Sequence, residues 1–171
     1  MKCRHCSADL KHTFLDLGSA PPSNAYLLSA DLIKLERCYP LKVNVCAECF
    51  LVQTEDYADA DQLFDADYAY FSSFSKTMLD HSKCYVDDMV ERYNLNETSM
   101  VIEIAANDGY LLQYIKDKSI PCLGIDPTAS TAEAARSKGI EIVEEFFGVT
   151  LAKRLVEKGF LADLTVANNV L

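Results

Sequence analysis

The chain has 171 residues, half of them hydrophobic and a quarter charged, with a formal net charge of −10. Those proportions describe a globular polypeptide of one or two domains, and with no run of about eighteen apolar residues there is no membrane-spanning helix to expect. Six Lys or Arg stand against five Asp or Glu in residues 1–50, but ten against twenty-one in residues 51–171, so no basic stripe exists to displace counterions from phosphates and nucleic acid is not an expected partner.

The N-terminus has no apolar signal-peptide core, and seven cysteines without an export signal point to a reducing cytoplasm. Cys3-Arg4-His5-Cys6 is answered by Cys46-Ala47-Glu48-Cys49. Two such pairs supply the four soft anionic donors of one closed, structural Zn(II) site, which performs no chemistry of its own. Redox pairs of the thioredoxin type are the competing reading, but those sit singly at a strand-to-helix turn. His5 lies between two better-placed thiols and Cys38 lacks a partner at knuckle spacing, so both are expected beside the metal and not on it.

Between the pairs, Thr13 to Gly18 predicts a short strand closed by its glycine, Ala20 to Asn24 an extended turn, and Tyr39 to Val45 a strand alternating with period two. Phe50 to Gln53 leaves the second pair as a further strand. The layout is that of a zinc ribbon with a long insert, over residues 1–54. Glu55 to Asp67 then carries six carboxylates and no Lys or Arg, the mark of a solvated connector. Asp67 to Ser75 crowds four aromatics and three serines ahead of a helix. Its plain reading is a hydrophobic anchor followed by an N-cap serine; its functional reading is a lid whose tyrosines and serines face a ligand. We take 55–75 as the connector and 76–171 as the second folded part.

Met78, Leu79, Tyr85, Val86, Met89, Val90 and Tyr93 recur at helical spacing and predict an amphipathic helix over 76–93. From residue 100 strands alternate with helices: strands at 100–105, 121–126, 140–144 and 163–168, helices at 110–117, 130–138 and 149–158. Short right-handed crossovers make such a βαβαβαβ series a parallel, doubly wound α/β sheet. Cys84 and Cys122 read as plain buried residues within it.

The first turn of that series, Glu103-Ile104-Ala105-Ala106-Asn107-Asp108-Gly109, ends a strand in an acid and enters a helix through small residues. Backbone can then approach a ligand closely at the carboxyl edge of the sheet. Dinucleotide enzymes write the turn as G-x-G-x-x-G; here Ala105 and Asn107 replace the first two glycines and only Gly109 remains. Asparagine accepts left-handed backbone better than other non-glycine residues, so the turn survives. Glu103 and Asp108 suit a cationic ligand better than a pyrophosphate. Asp126, closing the next strand about twenty residues on, stands where a carboxylate commonly accepts ribose hydroxyls; its alternative is to cap the following helix.

On these residues the chain resembles the zinc-containing, S-adenosylmethionine-dependent sugar C-methyltransferases of NDP-deoxysugar biosynthesis, and is similar to NDP-hexose 3-C-methyltransferases. The resemblance runs from Cys3 to Leu171. It rests on the cysteine pairs, Asp16-Leu17-Gly18 with Asn24-Ala25-Tyr26-Leu27, Tyr68 to Ser75, Glu103 to Leu112, Gly124-Ile125-Asp126-Pro127, Phe146-Phe147-Gly148 and Ala167-Asn168-Asn169-Val170-Leu171. It implies a zinc-ribbon-like domain with Cys3, Cys6, Cys46 and Cys49 on the metal, followed by the first half, about four parallel strands, of a class I Rossmann-like methyltransferase sheet. It also implies that Glu103, Ala105, Asn107 and Gly109 shape the methionine side of an S-adenosylmethionine pocket, that Asp126 takes the ribose, that Phe146 and Phe147 lie near the adenine, and that Asn168 ends the fourth strand beside the sulfonium. The family's reaction removes a proton beside the keto group of a 4-keto sugar nucleotide and methylates the resulting enolate. Tyr70, in preference to Tyr68, is the hydroxyl expected near the reacting carbon.

In that family the proton chemistry belongs to a His/Glu/Tyr segment further along the chain, and a full sheet has seven strands. These 171 residues are therefore expected not to turn over alone, and the apolar edge left at the fourth strand is a candidate for self-association. A non-catalytic zinc-ribbon interaction module is the alternative, and a piece of a nucleotide-binding oxidoreductase a third, disfavoured by the missing glycines.

Overall fold

The computed structural model describes residues 1–64, 68–168 and 170, with residues 61 and 62 through their backbone only. Asp67 at the head of the aromatic stretch, and Asn169 and Leu171 of the last block, lie outside the described residues. The chain divides into two compact units, one from Met1 to Leu63 and one from Phe64 onward.

Unit 1 is an antiparallel sheet in the order β1 (His12–Ala20), β2 (Tyr39–Val45), β3 (Val52–Thr54), followed by the single turn α1 (Ala60–Leu63). The alternating segment forms β2 over the residues its period predicts. Gly18, by contrast, does not end the first strand. It sits inside β1 at φ +77°, where the pairing with β2 slips between Asp16 and Ser19, and its amide is held by the Asp16 carboxylate at 2.9 Å. The glycine marks a bulge, a position that tolerates left-handed backbone within a strand.

Very little apolar surface is buried here. Among the described residues of unit 1, the buried side chains are Cys3, Cys46, Asn44 and Gln53, while Phe14, Leu28, Leu32, Ile33 and Leu35 are exposed. Some sixty residues without a hydrophobic core cannot offset the entropy of ordering the chain, so another source of stabilisation is required.

Unit 2 begins with α2 (Lys76–Tyr93), started by the Ser75 hydroxyl accepting from the Met78 amide at 3.2 Å and stopped by Asn94 in left-handed conformation at φ +52°. Then follow β4 (Val101–Ile104), α3 (Leu112–Asp117), β5 (Cys122–Ile125), α4 (Ala129–Ser137), β6 (Glu141–Val143), α5 (Val149–Glu157) and β7 (Leu164–Val166). All pairings are parallel, in the order β6-β5-β4-β7. The chain thus steps outward from β4 twice and returns to its other side, which makes the boundary between β4 and β7 the switch point, where ligands of doubly wound sheets bind.

Both faces of the sheet are covered. Val86, Leu95, Val101, Tyr110, Leu112, Ile115, Ala132 and Ala135 join α2, α3 and α4 on one face; Ile102, Leu123 and Ile125 meet Leu151 and Leu155 of α5 on the other. The alternation of Val101 and Ile102 between these cores is the period-two geometry of a strand buried on both sides. Two expectations fail at the surface. Cys84 is exposed and Cys122 only half-buried, because Cys84 falls outside the stripe that α2 presents to the sheet. Tyr93, the last residue of the same helix, is also exposed. No helix among the described residues is long and apolar enough to cross a membrane.

Candidate functional site

The two cysteine pairs fold into knuckles with the same wiring. The amide of Ser7 donates to the Cys3 carbonyl at 2.9 Å and that of Phe50 to the Cys46 carbonyl at 3.1 Å; the amides of Cys3 and Cys46 in turn donate to Ala8 and Leu51. Ser7 and Phe50, each just past its pair, have φ of +62° and +61°. The knuckle demands left-handed backbone at that position, and neither is a glycine.

All four Sγ atoms lie within 4.8 Å of one another, with Cys3 to Cys49 at 3.6 Å and Cys6 to Cys46 at 3.5 Å. These separations are far beyond a disulfide bond of about 2.0 Å and close to the roughly 3.8 Å edge of a tetrahedron with 2.3 Å Zn–S bonds. Protonation follows the same logic. The Cys6 backbone amide and then the Gln53 side chain pull the Cys3 thiol down to about 6, and the Cys49 and Glu48 amides lower Cys46. At Cys49 the Leu51 amide pulls downward, but burial and the three neighbouring thiols override it and push the group up to about 12. Four thiols this close cannot all ionise without a cation among them, and a soft dication fits the donor set. His5 and Cys38 are exposed and outside the cluster, as the spacing predicts.

Gln53, which the spacing of cysteines does not flag, completes this centre. Its Nε2 donates to Cys3 Sγ at 3.3 Å while its Oε1 accepts from the Arg4 amide at 3.0 Å, so one buried amide on β3 grips the first knuckle twice. Such partners orient a ligand and tune its basicity.

In unit 2 a cleft of about 540 Å³ opens over the carboxyl ends of β4 and β5. The first turn runs along it with Ala105 at φ +54°, Asn107 at +50° and Gly109 at +74°. Ala105 and Asn107, at the first two glycine positions of the dinucleotide pattern, and Gly109 are all left-handed here, although only one of the three is glycine. Gly109 is required twice over: a Cβ there would run into Ile140 Cδ1 and press on Ala135 Cβ at 3.3 Å. Asn107 has a second task. Its Oδ1 accepts from the Ser72 amide at 2.8 Å and its Nδ2 donates to the Tyr70 carbonyl at 3.0 Å, so the side chain bridges the turn to the aromatic stretch.

Tyr68, Tyr70, Asp126, Phe146, Phe147 and Asn168 all line this cleft together with Ala105 and Asn107. Tyr70, Phe146 and Phe147 are about half exposed, and Phe64 packs on Tyr68 and Phe146. Asp126 is almost wholly buried and already engaged: Oδ2 accepts from the Asn107 amide at 2.8 Å, and Oδ1 accepts from the Thr128 amide at 3.0 Å and its hydroxyl at 2.5 Å, with the Thr131 hydroxyl 2.9 Å away. Asp126 thus holds the Thr128 residue that precedes α4 without capping an amide of the helix itself, and of the carboxylate's lone pairs one on Oδ2 remains for a ligand.

Glu103 lies beneath the cleft and does not line it. It is fully buried, and neither oxygen is held in a hydrogen bond of good geometry among the described residues. Burial drives its carboxyl well above the usual range; the Tyr110 hydroxyl opposes the rise, and the nearby Asp126 and Asp108 add to it. Tyr110 does line the cleft and accepts from Asn168 Nδ2 at 3.1 Å, so a chain of polar groups links the buried acid to the cleft floor.

The fold and these two centres define a class: a four-thiol lobe suited to a metal, followed in the chain by a doubly wound α/β unit with four parallel strands and a cleft at its switch point. Comparison with known proteins is specific about each half. Residues 3–64 match the family described as "Putative zinc binding domain". The chain is 28% identical over 163 residues to the C-methyltransferase NovU of Streptomyces niveus, an alignment that takes in 95% of this chain and 39% of that protein. The chain thus spans about two-fifths of that relative's length. Among solved structures, a SAM dependent methyltransferase from Archaeoglobus fulgidus overlaps 37% of this chain and 29% of its own at 20% identity and a TM-score of 0.29, and the MccD protein overlaps 57% and 34% at 18% identity and 0.30.

Proposed function

We propose that this chain is the cofactor-binding opening part of an S-adenosylmethionine-dependent C-methyltransferase acting on an NDP-4-keto-deoxysugar, with Cys3, Cys6, Cys46 and Cys49 holding a structural Zn(II). The observation that carries it is the turn from Ala105 to Gly109, left-handed at Ala105, Asn107 and Gly109 and running along the cleft at the switch point of the sheet. The similarity to a C-methyltransferase supplies the reaction type.

Bound in the cleft, the cofactor supplies a transferable methyl group. Ala105 and Asn107 let backbone come close to it, the free lone pair of Asp126 accepts a ribose hydroxyl, and Phe146 and Phe147 cover an aromatic base. Asn168 and Tyr110 present polar atoms at the end of β7 and β4, the side nearest the switch point. A positive charge seated above Glu103 would favour the ionised form of its carboxyl and so oppose the rise that burial imposes. Tyr70 offers its hydroxyl from the opposite wall, where it can hold the substrate's oxygen. We assign the base and most sugar contacts to chain beyond these residues, so that the 171 residues alone bind cofactor without turnover. We also propose a reducing compartment, the cytoplasm, a reading supported by the free thiols that the metal lobe needs.

A second reading, a zinc-ribbon module that binds a partner without catalysis, is favoured by the exposed run of Leu28, Leu32, Ile33 and Leu35 in unit 1. Calorimetry separates the readings. Heat on titration with S-adenosylhomocysteine and none with NADH is the expected result; binding of NADH alone would move the chain to the oxidoreductases, and silence toward both would favour the interaction module.

A further inference from the structure

The aromatic stretch from Tyr68 to Phe74 has no regular structure apart from one turn of 3₁₀ helix, Ser72–Phe74, yet hydrogen bonds tie it to the turn after β4 and to α4. Ser130 Oγ donates to the Tyr68 carbonyl at 2.8 Å. Asn107 takes the Tyr70 carbonyl and the Ser72 amide. Asp108 Oδ1 accepts from the Ser73 amide at 3.3 Å. Lys138, at the end of α4, closes the knot: its Nζ donates to Ser73 Oγ at 2.9 Å and to the Asp108 carbonyl at 2.6 Å, and pairs with Asp108 Oδ2 at 3.3 Å. Asp108 is 3% exposed, so this is a buried ion pair braced by hydrogen bonds, which costs little only because its remaining groups are satisfied.

From this geometry we infer that Asn107 and Lys138 are positioning residues: they lock the stretch from Tyr68 to Ser73 as a strap whose tyrosines form one wall of the cleft, so that order in the strap and occupancy of the cleft are linked. The inference rests on the cofactor reading of the cleft for its ligand, but not for the locking itself. A glycine would serve the backbone at position 107 equally well; what asparagine adds is the two strap bonds. Lys138 and Ser73 do not line the cleft, so their effect on a ligand can pass only through the strap. Reciprocity follows: if the locked strap favours the ligand, the ligand must favour the locked strap by the same factor.

Two variants test this without uncovering the buried Asp108. Asn107→Gly keeps the left-handed turn and removes both strap bonds; Ser73→Ala removes the Lys138 contact from outside the cleft. Amide hydrogen exchange of the peptide covering 68–75, with and without S-adenosylhomocysteine, is read beside the dissociation constant. We expect exchange in that peptide to rise about tenfold in Asn107→Gly and less in Ser73→Ala, while peptides from β4 and β5 stay protected. Affinity should fall in the same order, by about tenfold and about threefold. Exchange unchanged in both variants would overturn the locking, and exchange that rises while affinity holds would overturn the linkage. Absence of binding by the parent chain would instead remove the cofactor reading, and the exchange data alone would then decide whether the strap is locked.

Discussion

At Glu103 a single side chain sets a pH dependence opposite in sign to that of most carboxylates. Its folded-state pKa is raised by burial, so as pH climbs past the usual carboxylate value the unfolded chain ionises and the folded one does not. Unit 2 therefore loses stability as pH rises through that window. Glu103→Gln keeps the shape without the charge, and should melt several degrees above the parent at neutral pH, about 4–8 °C for each kcal/mol relieved in a unit of this size. The gain should vanish as pH falls below the ordinary carboxyl value of 4.5, where Glu103 is neutral in both the folded and the unfolded parent. A melting difference independent of pH would show that the carboxyl is ionised in the fold. Gln53 offers a residue-scale test in the other unit. Gln53→Leu should weaken zinc binding about 10- to 100-fold in a chelator competition, as loss of an outer-sphere partner does elsewhere, with the four thiolates still in place.

Elements are where sequence and structure agree most. The period-two run Tyr39 to Val45 and the 3.6-period stripe of α2 formed over the predicted residues, because each is a pattern that only one backbone geometry can bury. The β/α series followed within a residue or two at each end. The misses have local causes. Gly18 signalled a strand end but made a bulge, since both need left-handed backbone and nothing nearby distinguishes them. Of the residues expected around the cofactor, Ala105, Asn107, Asp126, Phe146, Phe147 and Asn168 line one cleft while Glu103 and Gly109 do not, and the hydrogen bonds of Asn107 to residues 35 and 37 positions away were not legible, because pairing across that distance depends on the tertiary fold. Asp126 was visible as a strand-end acid; that Thr128 and Thr131 would occupy one of its oxygens was hinted at only by their spacing after Pro127. The turn provides the element-scale prediction. Gly109→Ala adds a Cβ against Ile140 and forces φ +74° on an L-residue, at a combined cost of roughly 2–4 kcal/mol. Thermal or urea unfolding of unit 2 should show it, while a zinc titration should not.

On the scale of the whole molecule the two units differ in what holds them. Unit 2 has a core on each face of its sheet; unit 1 has four thiols and two buried amides. Zinc–thiolate binding contributes on the order of 10 kcal/mol in small domains, enough to supply what an absent core does not. A strong chelator should abolish the β-sheet signal of unit 1 and leave the cooperative unfolding of unit 2 in place. Cys46→Ser should reproduce the chelated state, and Cys84→Ser, on the exposed side of α2, should change neither transition by more than about 0.5 kcal/mol. Simultaneous loss of both units on chelation would mean that the larger one also depends on the ion.

A lobe knit together by sulfur inherits the frailty of sulfur. Peroxide that turns even one of the four thiolates into a sulfenic acid strips the ion of a donor, and the chain around it then has nothing to collapse upon. Oxidative stress would thus dismantle the small lobe while the sheet with its cleft endures, and repair would wait on both a reductant and a fresh supply of zinc.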